Sequence, residues 1–363
     1  MKKYIIIGLL ALAVLGLVIV PMINSSDSSQ IIEEKAPAIF LFDENLACTY
    51  DQIIPLAFEV NSEEVVKVEI VFNDSVFKTF NSPKGKLSME FNASFYGVGT
   101  KTLSLLSTLK DGSQFADNRL IIVLSDIKPE AWSVEILNTY KHDPQNFIQG
   151  LEFYKGKLYE GTGDPDRRGS TKVGVIDPKT GLFSNFIGLD ANYFGEGITI
   201  LNDKLYQLTY TQGKCFVYNV NDLSVEKEFI YQGEGWGICN DGEFLYTSDG
   251  TQRITKRNAN TFEVIESIEV CTDKGSISNI NELEFVDGLI YANVWTTNSL
   301  LVIQPETGKV IATINAAELA ILGRKNADVL NGIAYSKTSN SFYLTGKYWD
   351  TMFEVKFNKL KNL

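Results

Sequence analysis

The chain has 363 residues, with 33 Lys and Arg against 45 Asp and Glu, for a formal net charge of −12. That balance argues against nucleic acid as a partner, because phosphate binding needs a basic stripe. One histidine in the whole chain excludes three-His zinc centres and H-E-x-x-H proteases, so acid–base chemistry must rest on carboxylates, Lys, Tyr or His142 alone.

At the N-terminus Met1-Lys2-Lys3 precedes an uncharged apolar run over residues 5–23. As a helix this run spans about 28 Å, close to a bilayer core. The Asn24-Ser25-Ser26-Asp27 segment behind it is a poor match to the small-residue exit of a cleaved secretory signal. Residues 1–23 therefore read as a signal anchor, with a cleaved signal peptide as the alternative. The membrane is then a partner through residues 5–23. The two lysines place the folded parts outside the cytoplasm, in the periplasm or at the cell surface.

Residues 24–36 are rich in Ser, Asp and Glu and read as a flexible linker. Over 37–127 apolar and polar residues alternate in runs at 53–60, 64–72, 76–80, 87–91, 100–109 and 119–125, broken by Asn73-Asp74, Pro83-Lys84-Gly85 and Asp111-Gly112. About seven short strands in that length predict an immunoglobulin-like β-sandwich. No polar constellation appears in it, and it reads as a spacer or docking module. The cysteines Cys48, Cys215, Cys239 and Cys271 match no zinc or thioredoxin spacing. Buried free thiols are the preferred reading, and a Cys215–Cys239 bridge stays open.

Residues 128–363 repeat. A polar or aromatic residue, an apolar strand, a turn and an apolar-Tyr pair recur five times, with the tyrosines at Tyr159, Tyr206, Tyr246, Tyr291 and Tyr343. Spacings of 40 to 52 residues, with four strands each, predict an all-β, five-bladed propeller. The fifth copy lacks a closing strand, which residues 133–140 can supply. Aligning the repeats puts Gln149, Glu196, Trp236, Asn281 and Asn331 at equivalent positions around one mouth of the central channel. The ends of the second strands form another ring: Gly163, Tyr210, Gly250, Trp295 and Lys347. Carboxylate, amine, amides and aromatics on one face suit a pocket for a small polar group between aromatic walls; the plain alternative is a hydrogen-bonded channel plug.

Residues ~133–360 also resemble the plant-type glutaminyl-peptide cyclotransferases, or glutamine cyclotransferases. The motifs are Phe147-Ile148-Gln149-Gly150-Leu151, Tyr193-Phe194-Gly195-Glu196-Gly197, Glu234-Gly235-Trp236-Gly237, Asn281-Glu282-Leu283-Glu284, Ala292-Asn293-Val294-Trp295, Leu330-Asn331-Gly332-Ile333-Ala334 and Thr345-Gly346-Lys347-Tyr348-Trp349. The resemblance implies a five-bladed propeller whose substrate is a peptide or protein with N-terminal Gln, cyclised to pyroglutamate with release of ammonia. It implies Glu196 as the catalytic carboxylate and Gln149 and Asn281 as its amide partners. The aromatic walls would be Phe147, Phe194, Trp236 and Trp295, and the basic residue Lys347. Tyr210 stands where the family commonly has Trp.

The reaction needs one carboxylate able to take a proton from the α-amine and deliver one to the departing nitrogen. Lys347 could pair with Glu196 or stabilise the developing oxyanion. No metal or cofactor is required; a structural Ca2+ in the channel would need several oxygen ligands, to which Asp249 and backbone carbonyls could contribute. His142 reads as a loop or strand-edge residue, and Glu284 as lining the channel more deeply. The rival reading is a non-catalytic propeller that binds peptide N-termini or a protein partner at the same mouth.

Overall fold

The computed structural model describes residues 36–73, 75–166, 171–323 and 328–360. The apolar run over 5–23 and nearly all of the 24–36 linker lie outside the described residues. Among those described, no helix is long and apolar enough to cross a membrane. The protein is all-β, with one α-helix, Ala317–Gly323, and one short 3-10 turn, Ala93–Tyr96, among the described residues.

Two sheets come first. One has three strands, Ala38–Phe40, Ile53–Val60 and Gly85–Asn92. The other orders Asn45–Thr49, Gln114–Leu124, Gly99–Leu109, Val65–Phe72 and Ser75–Asn81. Every alternating run in the sequence is a strand. The period-2 pattern sends Leu56 and Phe58 from one sheet, and Val68, Ile70, Leu103, Leu105, Ile121 and Val123 from the other, into one apolar core. Two strands, Ala38–Phe40 and Asn45–Thr49, are too short to show a period. The second pairs in parallel with Gln114–Leu124, a non-local pairing that local patterning does not encode.

The repeats fold into four-stranded antiparallel sheets. The first three are Phe147–Tyr154 to Leu182–Gly188, Gly195–Leu201 to Val225–Ile230, and Ile238–Asn240 to Val264–Glu269. The fourth runs from Ile280–Val286 to Val310–Asn315. The fifth has Leu330–Ser336, Ser341–Gly346 and Thr351–Lys359, completed by Glu130–Lys141 from before the first repeat. That strand also runs parallel to Val310–Asn315, so the last two sheets join into one of eight strands. The innermost strand of each sheet contacts that of the next, and the fifth contacts the first.

An apolar layer fills each gap between neighbouring sheets, and the repeated tyrosines belong to these layers. Tyr159 packs with Ile198 and Leu205 of the second sheet, and Tyr206 with Ile238 and Leu245 of the third. Tyr246 meets Ile280 and Leu283, Tyr291 meets Leu330 and Phe342, and Tyr343 meets Ile148 and Leu151. The repeat is therefore a packing rule: one large ring per sheet, turned toward the neighbour.

The first two sheets sit against the seam between the third and fourth repeat sheets, and Pro37–Leu363 form one compact unit. Buried Lys309 places Nζ 2.7 Å from Asp126 Oδ1 and 3.3 Å from the centre of the Tyr50 ring. Glu269 accepts the Thr100 amide at 3.2 Å and lies 3.6 Å from Lys101 Nζ. All four cysteines are buried and free.

Candidate functional site

The residues predicted from the repeats share one local irregularity. In the inner strands the pairing register slips between Ile148 and Gly150, Gly195 and Ile198, Ile280 and Leu283, and Leu330 and Ile333. Gln149, Glu196, Asn281 and Asn331 lie in those slips, and Trp236 precedes the shortened inner strand of the third sheet. A bulge re-aims a side chain that regular alternation would send into a neighbouring layer. The glycine that follows has a steric purpose. A Cβ on Gly197 would lie 2.7 Å from the Trp236 carbonyl oxygen, and one on Gly237 2.0 Å from that of Asn281. The inner strands can approach this closely only without side chains there.

Gln149 and Asn331 meet directly, and bonds to the backbone link the segments that carry the others. Asn331 Nδ2 donates to Gln149 Oε1 at 3.2 Å and to the Ile148 carbonyl at 3.1 Å. The Gly197 amide, next to Glu196, donates to the Trp236 carbonyl at 2.8 Å. Ser248 Oγ donates to the Asn281 carbonyl at 2.6 Å and receives the Gly237 amide at 2.7 Å. Gln149, Glu196, Asn281, Asn331 and Lys347 are all buried. Around them runs a partly exposed aromatic rim. Phe147 and Phe194 lie edge to face at 6.0 Å, Phe194 and Tyr210 are 5.9 Å apart, and Trp236 and Trp295 cross at 88° and 5.6 Å. Two glycines of the second ring are seats for this rim. A Cβ on Gly163 would run into the Phe194 ring, and one on Gly250 into the Trp236 ring.

Burial sets the electrostatics. It pushes the Glu196 carboxyl well above the ordinary carboxylate range; Lys347 opposes that rise and Glu234 adds to it. Burial likewise pulls the Lys347 ammonium down, with Glu196 and Asp328 acting the other way. Lys347 Nζ stands 4.4 Å over the centre of the Phe147 ring, a cation–π contact strengthened by exclusion of water. Among the described residues, the buried oxygens Asn281 Oδ1 and Asn331 Oδ1 have no hydrogen-bond partner. Unmet buried acceptors are costly.

Several residues that shape this mouth were not visible in the sequence. Exposed Glu234 accepts the Trp236 indole N–H at 2.9 Å and hydrogen-bonds Tyr210, so one carboxylate holds two rim aromatics. Glu282 reaches from the fourth sheet to the Leu151 amide at 3.4 Å and the Ile333 amide at 2.8 Å. It ties three inner strands together below the mouth. Glu284 is buried further along the same inner strand as Asn281. With Glu152 it borders a cavity of about 670 Å³ at the opposite ends of the inner strands, which contains none of the mouth residues. Among the described residues, no group of three or more His, Cys, Asp and Glu is placed to hold a metal.

The family model for glutamine cyclotransferase matches residues 107–357. The chain belongs to the glutamine cyclotransferase family. It is 32% identical over 241 residues to a glutaminyl-peptide cyclotransferase of Arabidopsis thaliana, covering 64% of this chain and 74% of that relative. The solved glutaminyl cyclase of Myxococcus xanthus superposes with a TM-score of 0.61 at 32% identity, over 64% of this chain and all of that one. The family match thus covers the repeats and begins within the strand Gly99–Leu109 of the N-terminal sheets.

Proposed function

We propose that this protein converts the N-terminal glutamine of peptides or proteins to pyroglutamate and releases ammonia, with the chemistry at the mouth ringed by Phe147, Phe194, Tyr210, Trp236 and Trp295. Membership of the family supports the activity. One observation supports the choice of site: five buried polar side chains, contributed by four of the repeat sheets, lie at the bulged ends of the inner strands and beside them, two of them with unmet acceptor oxygens.

An N-terminal glutamine fits this set. Its α-amine and carboxamide N–H groups are donors for Asn281 Oδ1, Asn331 Oδ1 and the Glu196 carboxylate. Its carbonyl oxygen is an acceptor for Lys347. The α-amine must be neutral to attack the γ-carbonyl. An α-ammonium ordinarily loses its proton near pH 8, and burial lifts Glu196 toward that range, which lessens the cost of the transfer. The amine nitrogen then bonds to the γ-carbon, and the carbonyl oxygen gains charge beside Lys347. Glu196 hands its proton to the amide nitrogen, the oxyanion collapses to a carbonyl as the carbon–nitrogen bond breaks and ammonia leaves, and the regenerated Glu196 carboxylate takes the extra proton from the ring nitrogen. The rim folds the substrate into its attack conformation, an entropic contribution. The scheme uses only side chains of this chain.

The same reading takes the five repeat sheets, residues 128–363, as a five-bladed propeller. It takes residues 37–127 as an immunoglobulin-like sandwich, and 1–23 as a membrane anchor that leaves both outside the cytoplasm. The ring of inner strands and the five inter-sheet layers support the propeller.

The test is ammonia release from a Gln-initiated dipeptide, with the Asn-initiated analogue as control. Ammonia with Gln alone, and a product lighter by one ammonia, is the expected result. Peptide binding without ammonia would replace the enzyme with a binding module.

A further inference from the structure

The one histidine of the chain lies, as the sequence suggests, at a strand edge, directly after Glu130–Lys141. It is also buried, between the two segments that carry Phe147 and Lys347. The His142 and Glu160 side chains are completely shielded from solvent. His142 Nδ1 lies 2.8 Å from the Trp349 carbonyl oxygen, which can only accept, so Nδ1 carries a proton and donates it. Nε2 lies 3.1 Å from Glu160 Oε2. The other carboxylate oxygen, Oε1, accepts Asn146 Nδ2 at 2.9 Å. Two backbone bonds complete the link: the His142 amide to the Asp350 carbonyl at 3.0 Å, and the Tyr348 amide to the Asn146 carbonyl at 2.9 Å.

What this network holds is the turn that bears Lys347. The ladder between Ser341–Gly346 and Thr351–Lys359 ends at the pair Leu344 and Phe353. The turn beyond it passes through Tyr348 at φ +61°, a left-handed conformation that a tyrosine adopts only when its surroundings impose it. The Lys347 backbone is tied to Val329 and Asp328 at 2.9 and 3.0 Å, and the Trp349 indole donates to the Asp328 carbonyl at 3.0 Å; on the far side of the turn the His142 ring adds a buried side-chain tie, through the Trp349 carbonyl. Asn146 is followed directly by Phe147, whose ring lies under the Lys347 ammonium. One buried cluster therefore locates both the cation and the aromatic face it rests on.

We propose that His142, oriented by Glu160 and Asn146, is a positioning residue for the cyclisation, fixing Lys347 over Phe147 and beside Glu196. It touches no reacting atom. The proposal rests on the reading of the site given above, in which Lys347 acts on the substrate carbonyl and on Glu196.

A double-substitution cycle tests it. His142→Ala is expected to lower kcat on a Gln-initiated dipeptide by about tenfold or more, with a smaller change in KM. In a Lys347→Met background the same substitution should cost less than twofold. Equal losses in both backgrounds, or full activity in Lys347→Met alone, would overturn the proposal. Should His142→Ala melt before the assay temperature, His142→Asn replaces it in the cycle. It keeps a donor for the Trp349 carbonyl and should recover most of the lost kcat.

A second readout needs no turnover. Acetylation of the native full chain, mapped by peptide mass, should modify Lys347 at least fivefold faster in His142→Ala, while Lys101 at the N-terminal sheets is unchanged. Unchanged Lys347 labelling would refute the positioning role by itself. An inactive wild-type protein with accelerated labelling in the variant would instead remove the proposed activity and leave the positioning intact.

Discussion

Replacing Glu196 by Gln is the sharpest probe of the proposed chemistry. The side chain is buried in a strand bulge, and Gln has nearly the same volume, so no cavity opens. Burial already disfavours the charged form of Glu196, and a neutral amide removes that cost. Thermal stability should stay within about 3 °C of wild type, the shift that ~1 kcal/mol gives a domain of this size. Turnover behaves differently, because an amide cannot shuttle a proton between two nitrogens. Loss of a positioned acid–base group costs about 10²- to 10⁴-fold, or about 3 to 5 kcal/mol in the barrier. The neighbouring carboxylate, Glu234, is exposed and held by the Trp236 indole, so it does not stand in. The assay is ammonia released from a Gln-initiated dipeptide, corrected for spontaneous cyclisation, with a melting curve on the same sample. A Glu196→Gln protein that is folded and within fivefold of wild-type kcat would refute the argument.

Three further outcomes follow from named contacts. Lys347 holds the Glu196 pKa down against burial, so Lys347→Met should move the acid limb of kcat/KM to higher pH; an unmoved or lowered limb contradicts that coupling. At the other end of the channel, burial raises Glu284 well above its ordinary range and Glu152 to about 8. Their native state thus binds more protons than the unfolded chain between about pH 4.5 and 8, and stability falls as pH rises through that window. Glu284→Gln should raise the melting temperature at pH 8 and leave it nearly unchanged at pH 4.5, and equal shifts at both would oppose this account. At the N-terminal sheets, Lys309→Ala should cost about 2 to 3 kcal/mol in urea unfolding. Lys309→Met, which keeps the buried aliphatic stem but loses the ammonium over Tyr50 and leaves a partly hydrated Asp126, should cost about 1 kcal/mol. Equal losses would assign the contact to charge alone.

Much of this protein is legible from local pattern. Alternation marks the strands of residues 53–125, because one face of each strand must be apolar to enter the shared core. The recurring tyrosines mark the sheets, because each ring fills the layer to the next. The positions of Gln149, Glu196, Trp236, Asn281 and Asn331 are likewise readable, since a repeat places equivalent residues at equivalent heights. The closing strand near 133–140 follows from counting, as one sheet would otherwise lack its fourth strand.

Other features depend on partners far apart in the chain, and no local period carries them. The parallel pairings of Asn45–Thr49 and of Glu130–Lys141 are of this kind. So is the Glu234 carboxylate that organises Trp236 and Tyr210, and the Glu282 bridge across three strands. His142 is the clearest case. Its residue type allowed both a loop side chain and a site component, and nothing in Tyr140-Lys141-His142-Asp143 distinguishes them. Only the folded chain brings Glu160 and the Trp349 carbonyl to opposite edges of its ring. Composition and periodicity determine which faces are buried, because hydrophobic burial is local and additive. Which polar groups then satisfy one another is decided by tertiary structure, because a hydrogen bond needs both partners in place at once.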